Sequence, residues 1–113
     1  MIARKNRFHG HNAVSRVRGK SVHLPFFKVF YMRSNNRRDY RMAVVVSKKT
    51  AKSAIVRNRI RRRLYEQVRV QKSLDGQPYD VVFVVQNQAL ASMPATELSL
   101  QVAKALQKIT DHS

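Results

Sequence analysis

The sequence predicts an α+β fold: a single-domain α-β sandwich with the element order α-β-β-α-β-α. Three observations predict it. The stretches 25–32 and 41–47 are rich in aromatic and β-branched residues, which favour strands. A nearly uninterrupted apolar run at 79–85 has the length of a strand covered on both faces. Residues 51–70 and 98–109 instead space their apolar side chains every three or four positions, the period of an amphipathic helix. The chain has 113 residues, 43% of them hydrophobic, enough for one compact domain spanning 1–113. No internal repeat, low-complexity tract or Pro/Gly/Ser linker divides it.

Residues 1–12 read as a basic, flexible arm, with His9-Gly10-His11-Asn12 breaking any longer pattern, and Ala13 to Arg18 as a short helix closed by Gly19. Pro25 to Met32 follows as a strand. Side chains alternate along it, so Phe27, Val29 and Tyr31 share one face and Phe26, Lys28 and Phe30 the other. The turn chemistry of Ser34 to Asp39 predicts a hairpin into a second strand, Arg41 to Ser47. There Met42, Val44 and Val46 share a face, opposite Ala43, Val45 and Ser47. Over 51–70 a stripe of Val56, Ile60, Leu64 and Val68 marks the buried side of a helix. Asn58, Arg61, Arg62, Tyr65 and Arg69 fall opposite it, and Arg57 and Arg59 flank it. Asp75-Gly76-Gln77-Pro78 is a turn before the apolar strand 79–85. After Pro94, Leu98, Val102, Ala105, Leu106 and Ile109 form the inward stripe of a last helix.

The formal charge is +17, and it is unevenly placed. Residues 1–72 carry +19, with Asp39 and Glu66 as their only acids, whereas residues 73–113 carry −2. Soluble domains typically stay within single digits. A field this strong repels itself until a polyanion neutralises it, and nucleic acid is the polyanion expected. A membrane partner is not expected: no apolar run approaches the roughly 18–20 residues that span a bilayer. There is also no basic helix with a broad apolar face and no lipidation motif. The absence of cysteine removes disulfides, thiolate zinc sites and cysteine nucleophiles, and fits a reducing compartment. With no signal-peptide segment, the expected location is the cytoplasm. Nothing in the sequence points to an obligate protein partner.

Hydrolytic chemistry is poorly supplied. The six carboxylates are scattered, and no pair has the spacing for a metal or for general acid–base work. His9 and His11 are an isolated pair in the arm, and Gly10, Gly19 and Gly76 stand too far apart for a phosphate loop. No catalytic residue and no metal site of the chain's own are expected. The basic run is more informative. From Lys48 to Arg63, eight of sixteen residues are basic and none is acidic. A merely solvated helix face mixes signs and gains from i,i+4 pairs. Here Lys48, Lys49, Lys52 and the arginines repel one another unless phosphates lie among them, and arginine forks onto phosphate especially well. The set Phe26-Lys28-Phe30 has two open readings: rings that stack unpaired bases beside a phosphate-holding lysine, or rings packed under a terminal helix.

The stretch Val44 to Arg69 resembles the bacterial ribonuclease P protein subunit. That family has a strand ending in Val-Ser-Lys-Lys, here Val46-Ser47-Lys48-Lys49. A helix with Ala-Val-x-Arg-Asn-Arg-x-x-Arg follows, here Ala54-Ile55-Val56-Arg57-Asn58-Arg59-Ile60-Arg61-Arg62, then Glu66 and Arg69. The resemblance implies a β-α-β crossover of the uncommon left-handed kind, against the usual rule. It also implies that a large catalytic RNA, with Mg²⁺ bound mainly by RNA, removes the 5′ leader of precursor tRNA while the protein assists. Arg57, Asn58, Arg59, Arg61, Arg62 and Arg69, with Lys48, Lys49 and Lys52, would then contact RNA. Phe30, Lys28 and Phe26 would line a cleft for the single-stranded leader, and Arg4, Lys5 and Arg7 would add contacts from the arm. Two positions depart from the family's habit: Lys52 stands where a glycine is usual, and Val14 and Val17 where many members have phenylalanine. The competing reading is a small ribosomal or ribosome-associated RNA-binding protein.

Overall fold

The structure, a computed structural model, describes residues 20–33 and 38–111. It contains strands β1 (Lys20–His23), β2 (Phe27–Arg33), β3 (Arg41–Val45) and β4 (Tyr79–Val85). Two helices, α1 (Ala54–Gln71) and α2 (Ala95–Asp111), complete it, with a 3₁₀ turn at Gln88–Ala91. The arm 1–12 with Arg4, Lys5 and Arg7, and the helix expected at 13–18 with Val14 and Val17, lie outside the described residues.

One sheet runs in the order β1-β2-β4-β3. β1 pairs antiparallel with β2, β2 antiparallel with β4, and β3 parallel with β4. The hairpin expected between β2 and β3 is therefore not formed, because β4 lies between them. The reason is visible in composition. β4, almost wholly apolar, takes a central place with partners on both edges. Its parallel pairing with β3 needs a long crossover, which α1 supplies. β1 was not anticipated. In Lys20-Ser21-Val22-His23 only Val22 is buried, too little pattern to mark a strand but well suited to a sheet edge.

The main core lies on one face of this sheet, under both helices. Phe27, Val29 and Tyr31 enter it from β2, Met42 and Val44 from β3, and Tyr79, Val81, Phe83 and Val85 from β4. Ile60, Leu64 and Val68 of α1 meet them, as do Leu98, Val102, Ala105, Leu106 and Ile109 of α2. The Phe27 and Phe83 rings lie 5.4 Å apart, and Tyr31 meets Tyr79 edge-on at 6.2 Å. On the other face a smaller cluster joins buried Ala43 and Val82 to half-buried Phe30, Val45 and Val84. The strand at 79–85 is buried on both faces except at half-buried Val84, as its apolar run predicts.

Two side chains depart from the expected faces. Tyr65, predicted outward, is half-buried against the main core. Phe26 also packs against that core rather than beside Lys28 and Phe30. It precedes β2, in a turn closed by Leu24 N–H donating to the Phe27 carbonyl at 3.0 Å, so strand alternation does not reach it.

The ends of α1 are set locally. Ser53 caps the start, its hydroxyl accepting from Val56 N–H. Lys72 ends the helix in a left-handed conformation, φ 60°, a place that usually goes to glycine. In the following turn Gly76 takes φ 71° without steric cost. Its N–H donates to Asp39 Oδ1 at 3.1 Å, and Tyr40 N–H donates to the same oxygen at 2.9 Å. Asp39 thereby clips the entry to β3 onto the entry to β4.

Candidate nucleic-acid interface

Because β3 and β4 are parallel, both end at the same rim of the sheet, where α1 begins and β2 starts. The lysine turn is built there. Thr50 and Ala51 N–H groups both donate to the Ser47 carbonyl at 3.1 Å, and the Ser47 hydroxyl accepts from Thr50 N–H at 3.2 Å. The Thr50 hydroxyl donates to the Val85 carbonyl, tying the turn to the end of β4. Ala51 is buried in the main core, while Lys48, Lys49 and Lys52 are exposed. The turn therefore presents three ammonium groups from a fixed backbone.

Along α1 the arginines divide by what their guanidinium groups hold. Asn58, Arg59 and Arg62 are exposed. Half-buried Arg61 donates to Asn58 Oδ1 at 3.1 Å, a contact between neighbouring turns of the helix. Arg57 donates from Nη1 to the carbonyls of Ala51 and Lys52, both at 2.9 Å. Arg63 reaches across to the carbonyls of Leu90 and Met93, joining α1 to the segment before α2. Arg69 pairs with Glu66 on the helix's last turns. That hydrogen bond holds the Glu66 carboxyl down at about 2 and raises the Arg69 pKa further, so the one acid of α1 stays ionised and paired. A groove of about 910 Å³ runs beside this helix, lined by Asn58, Arg59, Arg62 and Glu66 and by Ala95 and Leu98 at the start of α2.

The second sheet face carries the other candidate set. Registration puts His23 opposite Lys28, Lys28 opposite Val84, and Val84 opposite Val45. The next row is Ser21, Phe30, Val82 and Ala43. Lys28 and Phe30 thus sit in adjacent rows over an apolar floor, with Lys28 nearer the lysine turn. Ser21 and His23, hydrogen-bonded at 3.2 Å, extend this patch along β1. Sequence reasoning missed them because one buried valine in four residues gives no usable period. In the third row Arg41 forks onto buried Asp80, Nε to Oδ1 at 3.3 Å and Nη2 to Oδ2 at 3.4 Å, which spends that arginine inside the sheet.

The arrangement offers cations and one ring. Among the described residues no three His, Asp or Glu side chains converge, so the donor set there does not fit a divalent ion. Of the described residues, none forms a helix long and apolar enough to cross a membrane.

Comparison with known proteins gives a consistent picture. The ribonuclease P family model matches residues 2–110. The ribonuclease P protein component of Caldanaerobacter subterraneus subsp. tengcongensis is 39% identical over 90 residues, 80% of this chain and 75% of that protein. The component from Roseiflexus castenholzii is 38% identical over 74 residues, 66% of this chain but only 60% of that protein. The Staphylococcus aureus RNase P protein superposes with a TM-score of 0.78 at 24% identity, covering 92% of this chain and 94% of that one. For the RNase P protein from Thermotoga maritima the values are 0.71 and 20%, covering 87% and 90%. These structural likenesses establish a shared fold.

Proposed function

Since the chain belongs to the ribonuclease P protein family, we propose that it is the protein subunit of ribonuclease P, acting in the cytoplasm on precursor tRNA beside a catalytic RNA. The supporting observation is the rim where the lysine turn meets the start of α1. Lys48, Lys49, Lys52, Asn58, Arg59 and Arg62 stand exposed there around a fixed backbone, with no acid between Lys48 and Glu66. In this reading they neutralise phosphates of the catalytic RNA, with Arg61 held beside them by Asn58 and Arg69 at the far end of the helix. The 5′ leader runs over the second sheet face, where Lys28 holds backbone phosphate and Phe30 stacks an unpaired base. Phe26, packed against the main core, takes no part in this stacking. Cleavage is assigned to the RNA with its Mg²⁺; the protein's residues bind and orient, and the protein alone leaves precursor tRNA intact.

Purification of the tagged protein from its own cells, followed by sequencing of bound RNA, tests this. A single RNA of a few hundred nucleotides together with precursor tRNA is expected. Ribosomal RNA as the dominant species would favour the ribosomal alternative and overturn the reading.

A further inference from the structure

We propose that Arg57 is a positioning residue, acting on RNA through the Lys48–Lys52 turn rather than by touching a phosphate; the inference rests on the RNA-binding reading above. Three observations carry it. The Arg57 Nη1 bridges two successive carbonyls, Ala51 and Lys52, at 2.9 Å each. Those carbonyls precede the helix, where no helical N–H arrives to satisfy them. Ala51 is anchored in the core, so the bridge ties the turn to a fixed point. At its other end the turn is closed by Ser47 and tied through Thr50 to Val85.

The brace has a physical purpose. Three lysines within five residues repel each other, and each has a long, mobile stem. A loose turn would have to be ordered when RNA binds, which weakens association, whereas a pre-formed one avoids that loss. Ser47 and Thr50 hold the first part of the turn, and Arg57 holds its last two carbonyls, those of Ala51 and Lys52. A lysine at this position would keep the charge, but its strongly hydrated ammonium on a flexible stem is less readily committed to two carbonyls than the pre-organised guanidinium.

Two measurements test this. The first is trypsin digestion of the free protein. R57A and R57K are expected to speed cleavage after Lys48, Lys49 or Lys52 about tenfold, while R59A leaves it at the native rate. The second is affinity for a ribonuclease P RNA transcript, measured as a double-mutant cycle. In the native background each Arg57 variant should lose about tenfold. In a K48A/K49A/K52A background it should lose less than twofold, because the groups being positioned are gone. An equal loss in both backgrounds, full affinity in R57K, or unchanged trypsin cleavage would overturn the proposal. Should R57A fail to fold, R57K carries both measurements. Native protein that prefers an unrelated RNA of equal length would contradict the ribonuclease P reading instead, and trypsin would still report on the brace.

Discussion

The Arg63 guanidinium donates to the Leu90 carbonyl at 2.6 Å and also to that of Met93, binding α1 to the segment that leads into α2. Its neighbour Arg62 is exposed and lines the groove beside the helix. Two adjacent arginines in one basic run thus serve different ends, one in the fold and one at the surface.

Substitution should separate them. Arg63→Ala removes charge-assisted hydrogen bonds worth about 1.5–3 kcal/mol in all, lowering Tm by roughly 6–15 °C for a domain of this size. Arg62→Ala should leave Tm within about 2 °C and flatten the salt dependence of RNA binding by about 0.7–0.9 in log–log slope. Thermal melts and salt titrations of both variants check the pair. A stable Arg63→Ala, or a destabilised Arg62→Ala, contradicts the division.

Tyr40 gives a prediction in pH. Burial, with Asp75 and Asp39 nearby, pushes its phenol up to about 12 from an ordinary 10.0. A raised folded pKa means the native state holds the proton more tightly. Its contribution is therefore complete below pH 10 and is lost as pH rises through about 12. Tyr40→Phe should shrink the fall in Tm between pH 10 and 12. Tyr31, also raised by burial and by Tyr79 beside it, retains part of that fall. Melts across the window, with phenolate absorbance as the titration signal, provide the check.

Glu66 behaves oppositely. Its carboxyl is held at about 2 by the Arg69 hydrogen bond, below an ordinary 4.5. The pair's contribution is present above pH 4.5 and fades as pH falls through about 2. Glu66→Gln should flatten the acid limb of a Tm-versus-pH curve slightly and lower Tm at pH 7 by the same small amount, since exposed pairs contribute little. A large loss at pH 7 would show a structural role that the exposed geometry does not predict.

Phe30→Ala separates leader contact from assembly. A ring stacked on one unpaired base contributes about 1–3 kcal/mol, so precursor tRNA affinity of the holoenzyme should fall about five- to hundredfold. Mature tRNA, lacking the leader, should bind as before. Phe30 is half-buried against the cluster of Ala43 and Val82, so its loss should destabilise by less than the about 3–5 kcal/mol of an enclosed ring. Binding titrations with both tRNAs, beside a melt, decide. Equal losses for precursor and mature tRNA would remove Phe30 from leader contact.

Much of the fold was legible because burial imposes a period. Ile60, Leu64 and Val68, and the five apolar residues of α2, fall where helical spacing puts them. Phe27, Val29 and Tyr31 follow strand alternation. Pairing was less legible. Nothing in residues 34–39 distinguishes a hairpin from a link between strands that do not pair, because the choice is made by how β4 buries both its faces. β1 stayed hidden since an edge strand needs only Val22 inside. In the site, charge showed which helix carries the cations but not how each is used. That Arg57 and Arg63 turn to carbonyls 5 to 30 residues away depends on tertiary geometry, which composition does not encode.

In the proposed function this chain assists an RNA catalyst and does not cleave by itself. Reconstitution with the ribonuclease P RNA of the same organism and a precursor tRNA, across a Mg²⁺ titration, tests it most directly. RNA-free protein should not cleave, and the mixture should remove the leader at Mg²⁺ concentrations where the RNA alone is inactive. Robust cleavage by the protein without RNA, or a Mg²⁺ requirement unchanged by its addition, would contradict it.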